Sequence, residues 1–255
     1  MTSKIVIVAG GTTGMGRATA LARAARGDEV TVIGRTRRDL PSSVRFLAAD
    51  LSSIAEVERV AAEIADRHPR VDALTLFANR PMPRRTETAD GLEYTFALYY
   101  LSRYLLAARL APLMPVDSVI VNVAGVGTKK GEIHWDDPQL RAGYGIVRAQ
   151  LQAGRANDLL GVAHEGKARY VLYHPGFTRS GLDGHPSPVV RGVLKTLALF
   201  AARPVVRSVA PVVDWIERPP SELLTASDRG NPVDLSGKEA DARRLMAYTE
   251  SLLAR

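Results

Sequence analysis

The 255-residue chain contains no cysteine, so no disulfide, thiolate nucleophile or cysteine-held metal is open to it. Its stability has to come from packing. Histidine is scarce too. His68, His134, His164, His174 and His185 show no ligand spacing of the HExxH kind, and no metal site is expected. Aromatic residues make up only 6%, and no basic-aromatic interleaving, helix-turn-helix or zinc-finger spacing accompanies the net charge of +7. A nucleic-acid partner is therefore not expected, and the scattered arginines read as a solvated surface plus a few phosphate-directed groups. No apolar run is long enough to span a bilayer, and Ile5 to Ala9 is too short for a signal-peptide core. No membrane partner and a cytoplasmic location are the expectations. With 46% apolar and 24% charged residues and no repeat or linker, residues 1–255 read as a single α/β domain.

What the chain does have is organised around its opening. Lys4 to Ala9 is a β-branched run that reads as a buried parallel strand. Gly10, Gly14 and Gly16, with Thr12, Thr13 and Met15 between them, let the backbone turn sharply and approach a pyrophosphate. The helix from Gly14 to Arg26 then points its partly positive N-terminus at those phosphates. A second strand, Glu29 to Ile33, ends in Gly34-Arg35-Thr36-Arg37-Arg38 without an acid. A carboxylate there would hold the ribose hydroxyls and repel a 2′-phosphate, whereas arginine grips that phosphate, so NADP(H) is favoured over NAD. Arg37 and Arg38 are read either as phosphate ligands or as a solvent-facing loop.

Val44 to Ala48 reads as the third strand, and Ser53 to Glu56 has the spacing of a capping box opening the next helix. Further strands are expected over Asp72 to Phe77, Ser118 to Val123, Arg169 to Tyr173 and, last, near Leu223 to Ala226. Helices are expected over about Gly91 to Leu110, Tyr144 to Leu160, Val189 to Phe200, Val206 to Trp215 and Glu239 to Leu253. On the helix opened by Tyr144, Arg148 lies four residues on and shares its face. Strands alternating with helices give a doubly wound parallel sheet, a Rossmann fold, with ligands at the carboxyl ends of the strands.

These motifs together resemble the short-chain dehydrogenase/reductase family over most of the chain. Ala9-Gly10 through Gly14 and Gly16 matches its TGxxxGxG pattern with Ala9 for the threonine, Tyr144 to Arg148 matches its YxxxK, and Pro175-Gly176 its Pro-Gly turn. The stretches Thr88 to Glu93 and Trp135 to Pro138 are similar to its retinol-dehydrogenase-like members. The resemblance implies hydride transfer between NADP(H) and the carbonyl or alcohol of a small molecule. It implies a cofactor held by Gly10, Thr12, Thr13, Gly14, Met15, Gly16 and Arg35. Asp50 and Leu51 would lie at the adenine, Ala78 and Asn79 at the ribose, and Pro175, Gly176 and Thr178 at the nicotinamide end. Tyr144 would be the acid/base and Arg148, in the lysine position, its activator and a ribose ligand. The family's serine falls on Gly125 and its helix asparagine on Tyr99, so Thr128 is the candidate for the missing hydroxyl. Gly125, Tyr99 and Phe177 would border the substrate, covered by a segment near 177–203. A homodimer or homotetramer, paired through the helices at 91–110 and 144–160, is also implied.

Three functions remain open on these residues: an oxidoreductase with an altered acid/base set, an enzyme using the fold for cyclisation, elimination or epimerisation, and a cofactor-sensing protein without turnover.

Overall fold

In a computed structural model, residues 3–127, 131–176 and 205–254 are described. The predicted α/β sheet is present, with eight strands among these residues: β1 Ile5–Ala9, β2 Glu29–Gly34, β3 Val44–Ala48, β4 Ala73–Leu76, β5 Val119–Val123, β6 Arg169–His174, β7 Leu224–Asp228 and β8 Asn231–Pro232. Their order is β3-β2-β1-β4-β5-β6-β7-β8, parallel throughout except for the short antiparallel β7–β8 pair, and β8 is not among the expected strands.

Strands of this kind are apolar on both faces because both faces are covered. Along β1, Val6 and Val8 join one core layer with Val30, Val32 and Val121, whereas Ile7 and Ala9 join the other with Ile33, Leu74 and Leu76. Helices α1 (Gly14–Ala24) and α6 (Val205–Glu217) cover the first layer, tied together by buried Arg23, which donates to Asp28 and to Glu217 at 2.8 Å. Helix α2 (Ile54–Arg67) begins at Ser53, whose hydroxyl accepts from the Glu56 backbone N–H at 3.5 Å. The capping box is only half formed, because the Glu56 carboxylate pairs with Arg59 instead.

The helix expected over 91–110 is composite. It starts as α3 (Tyr94–Phe96), widens into a π-helical stretch over Ala97–Leu101, and continues as α4 (Ser102–Leu110). Glu93 caps its start, accepting from the Thr95 and Phe96 N–H groups. Adjacent residues on a helix point to different sides: Tyr99 lines the cleft at the strand ends, whereas Tyr100 bonds Thr249 at 2.7 Å. Thr249 belongs to the C-terminal helix α7 (Glu239–Leu253), which lies where its predicted span put it. Helix α5 (Ile146–Val162) has no exposed residue after Val147, and the aromatic edge of Tyr248 packs on Phe96. Much of the surface through which the resemblance implied subunit pairing is thus covered by the chain's own C-terminal helix.

Register brings the strand ends into line: Ala9 pairs with Ile33 and Leu76, Leu76 with Asn122, Val123 with Tyr173, and His174 with Asp228. The loops leaving β1, β2, β4, β5 and β6 therefore open along one edge.

Candidate active site

At that edge is a cleft of about 570 Å³. One half is built from backbone. Gly10 has φ +80°, and a Cβ there would lie 2.6 Å from the Ala78 backbone N; a Cβ on Gly16 would meet the Gly10 carbonyl. Only glycine permits this close passage of β1, β4 and α1, and the space it leaves lies under the helix N-terminus, where a diphosphate is stabilised. Gly10, Thr12, Thr13, Gly14, Met15 and Gly16 all line it, with Gly34 and Arg35 beside them. A Cβ on Gly34 would strike the Thr12 methyl at 2.8 Å, so the turn and the end of β2 are packed as one unit. A dinucleotide fits this cradle. Asp50 is the only carboxylate lining the cleft among the described residues, and its Oδ1 accepts from Ser52 N–H at 3.0 Å and Ser52 O–H at 2.7 Å. Leu51 lines the same corner. Arg37 is turned away, donating to the Pro41 and Val44 carbonyls, which is the loop reading of that residue.

The other half lies at the ends of β4, β5 and β6. Ala78, Asn79, Arg80, Pro81, Tyr94, Leu98, Tyr99, Ala124, Gly125, His174 and Pro175 line it. Asn79 is fixed by a reciprocal amide pair with Gln150, at 2.9 and 3.2 Å. Gly125 N–H donates to the Tyr99 hydroxyl at 3.0 Å. The structure therefore brings Tyr99, Gly125, Asn79 and the glycine turn to one place.

It does not bring Tyr144 and Arg148 there. Tyr144 precedes α5, whose N-cap is Gly145, so the two residues do not share a helical face. The Tyr144 hydroxyl donates to the Met82 carbonyl at 2.8 Å, and burial pushes its pKa up. Arg148 donates to His134 Nε2 at 2.9 Å and to the Gly143 carbonyl at 2.9 Å. Neither is among the residues lining the cleft. The cause is local: Gly143 takes φ +63° and Gly145 an extended conformation, so the helix starts two residues later than the spacing implied. Gly176, at φ +80°, lies against Arg229 rather than in the cleft wall. Thr128, Phe177, Thr178 and the whole segment near 177–203 lie outside the described residues.

Beneath the cleft the structure shows groups that the sequence reading missed. Arg103, 1% exposed, donates to Asn122 Oδ1, to the Val123 carbonyl at 2.9 Å and to the Ala78 carbonyl at 2.9 Å. Burial lowers its pKa to about 10, which still leaves it charged at neutral pH. Asn122 donates in turn to Asn157 and to the Tyr170 hydroxyl, both at 2.9 Å, and Asn157 donates to the Tyr99 carbonyl at 2.7 Å. The spacing Tyr99-x-x-x-Arg103 was a visible signal for Arg103. At the cleft mouth, His174 Nδ1 lies 2.8 Å from Asp228 Oδ1. Burial pushes the Asp228 carboxyl up, but hydrogen bonds from Arg229 and His174 hold it below its ordinary value. On α5, buried Asp158 accepts from Gly127 N–H at 3.2 Å and from Arg155 at 3.2 Å; burial raises it to about 6.

The family model for short chain dehydrogenase matches residues 4–136. A proposed daunorubicin C-13 ketoreductase, DnrU, of Streptomyces sp. (strain C5) is 31% identical, the match covering 94% of this chain and 88% of that one. Retinol dehydrogenase 13 of Homo sapiens is 26% identical over 96% of this chain and 78% of its own length. Among solved structures, a short-chain dehydrogenase from Streptomyces avermitilis superposes with a TM-score of 0.62 at 21% identity, covering 99% of this chain and 94% of that one. The chain belongs to the short-chain dehydrogenase/reductase family and is similar to its retinol-dehydrogenase-like members. It is an oxidoreductase by family, with a Rossmann fold and a nicotinamide cofactor, and among the described residues no helix is long and apolar enough to cross a membrane.

Proposed function

We propose that the chain is an NADP(H)-dependent oxidoreductase interconverting a carbonyl and an alcohol on a small molecule. The observation that carries this is Arg35, which lines the cleft at the end of β2 where no carboxylate competes for a ribose. A guanidinium there pairs with a 2′-phosphate by charge-assisted hydrogen bonds. The turn of Gly10, Gly14 and Gly16 and the α1 N-terminus would hold the diphosphate, with the Thr12 and Thr13 hydroxyls as further donors. Asp50 and Leu51 would flank the adenine, Ala78 and Asn79 the nicotinamide ribose, and Pro175 the nicotinamide. Asn79 is held in place by Gln150 and loses little freedom on binding. When bound, the cofactor supplies or accepts the hydride.

The chain's own part is to orient a carbonyl in the other half of the cleft and to exchange a proton with its oxygen. Leu98, Ala124 and the Tyr94 ring give that half an apolar wall, which suits a compact ring or chain better than a charged substrate. For Tyr144 to be the proton donor, its hydroxyl would first have to leave the Met82 carbonyl. A homodimer or homotetramer, the assembly the family resemblance implies, would be read from sedimentation at micromolar concentration.

The test is a titration with NADPH followed by a panel of ketones, aldehydes and alcohols monitored at the nicotinamide absorbance. Turnover of a carbonyl or alcohol with NADP(H) is expected. Tight NADPH binding with no substrate turned over would move the chain to the non-redox or cofactor-sensing reading.

A further inference from the structure

We propose that Tyr99 is the group that exchanges a proton with the substrate oxygen, and that Arg103, four residues on, is its buried counter-charge. This rests on the oxidoreductase reading above. Tyr99 lines the substrate half of the cleft, and its hydroxyl oxygen is already occupied as acceptor by Gly125 N–H at 3.0 Å. Its own proton is donated to no atom among the described residues, so it is available to a ligand oxygen. The Arg103 guanidinium carbon stands 4.6 Å from the centroid of the Tyr99 ring.

Arg103 is unusual in its company. Every oxygen it donates to is neutral, its Nε has no partner, and no carboxylate of the described residues lies within ion-pair distance. A buried charge is ordinarily paired, because desolvating an ion costs several kcal/mol. The floor of the cleft therefore carries a positive charge without a partner, and the ionisable group between that charge and the cleft is Tyr99. The other phenols are placed differently. Tyr144 is committed to Met82, Tyr100 to Thr249, and Tyr170 accepts from Asn122, while no guanidinium stacks on Tyr94 among the described residues. Tyr99 lies within the π-helical stretch Ala97–Leu101, a feature frequent at functional sites.

Burial favours the neutral phenol, so the proton is present at rest. Arg103 and the Gly125 N–H act the other way and favour the anion, while Asp158 on α5 opposes it. In reduction, the carbonyl carbon gains hydride from reduced cofactor, its π pair moves to oxygen, and that oxygen takes the Tyr99 proton. The phenolate left between Arg103 and Gly125 N–H is reprotonated by water. Alcohol oxidation is the reverse.

Two readouts test this. In protein carrying 3-fluorotyrosine, the Tyr99 resonance is assigned by its loss in Tyr99→Phe and titrated with base. In Arg103→Met its midpoint should rise by about 1–3 pH units, and in Arg103→Lys it should stay near the parent value. Second, Tyr99→Phe should lower carbonyl turnover by about 100-fold or more with NADPH affinity unchanged. Should Arg103→Met not fold, as judged by lost NADPH binding, the Tyr99→Phe arm decides. An unmoved midpoint in folded Arg103→Met, or full turnover in Tyr99→Phe, overturns the proposal. If the unmutated protein turns over nothing, the oxidoreductase reading has failed, and the titration alone upholds or overturns the Tyr99–Arg103 pair.

Discussion

The half of the cleft at β1 and β2 is made of backbone and glycine, whereas the half at the ends of β4 to β6 stands on a floor of buried polar side chains, Arg103, Asn122 and Asn157. The first permits almost no variation, since Gly10 and Gly16 stand where a Cβ would collide with main chain. The second rests on side chains: the Tyr99 hydroxyl accepts from Gly125 N–H, and the Arg103 guanidinium lies against the Tyr99 ring. A backbone cradle is fixed by sterics that no neighbour can relieve. Side-chain chemistry can be supplied from another element, provided charge and hydrogen bonds still close.

The contrast is broken most severely at Gly10. Gly10→Ala forces an alanine to φ +80° and puts its Cβ 2.6 Å from the Ala78 backbone N. A loss of about 2–3 kcal/mol in denaturant unfolding and about 100-fold or more in NADPH affinity is expected. A fully stable, fully binding variant would show that the cradle is not rigid.

The next effect belongs to the polar half. Burial raises Asp158 from 3.8 to about 6, so the folded state binds this proton more tightly than the unfolded chain. Its charged form therefore costs stability above pH 6, and the cost disappears as pH falls below about 4. Asp158→Asn should gain on the parent as pH rises from 4 to 7, by up to roughly 3 kcal/mol. Parallel stability curves for the two proteins across that range would contradict the assignment.

Tyr144→Phe sharpens the comparison by leaving the cleft alone. It removes one hydrogen bond to the Met82 carbonyl, so about 1 kcal/mol of stability and no large part of turnover should be lost. Loss of turnover equal to that of Tyr99→Phe would return the proton-donor role to Tyr144.

How much of this was legible follows the same division. The strand-glycine-helix opening, the seven parallel strands β1 to β7 and the final helix Glu239–Leu253 could be read because hydrophobic period and glycine placement act locally. The spacing put Tyr144 and Arg148 on one helical face, but Gly143 and Gly145 delay the helix to Ile146, and neither residue lines the cleft. The π-helical stretch Ala97–Leu101 leaves no mark in a run of apolar residues. Arg103 was not singled out in sequence, because its burial depends on acceptors from Ala78, Asn122 and Val123, distant along the chain and joined only by the sheet. The cover that α7 lays over α5 likewise depends on contacts about a hundred residues apart.

The central claim, that this cleft holds NADP(H) with its 2′-phosphate on Arg35, is tested most directly by titrating NADPH and NADH into the unmutated protein and into Arg35→Asp. NADPH should bind the unmutated protein more tightly, and Arg35→Asp should remove at least ~1.5 kcal/mol of that preference, roughly a tenfold change in the affinity ratio. Equal affinities for the two cofactors in the unmutated protein, or a preference that survives Arg35→Asp, would contradict it.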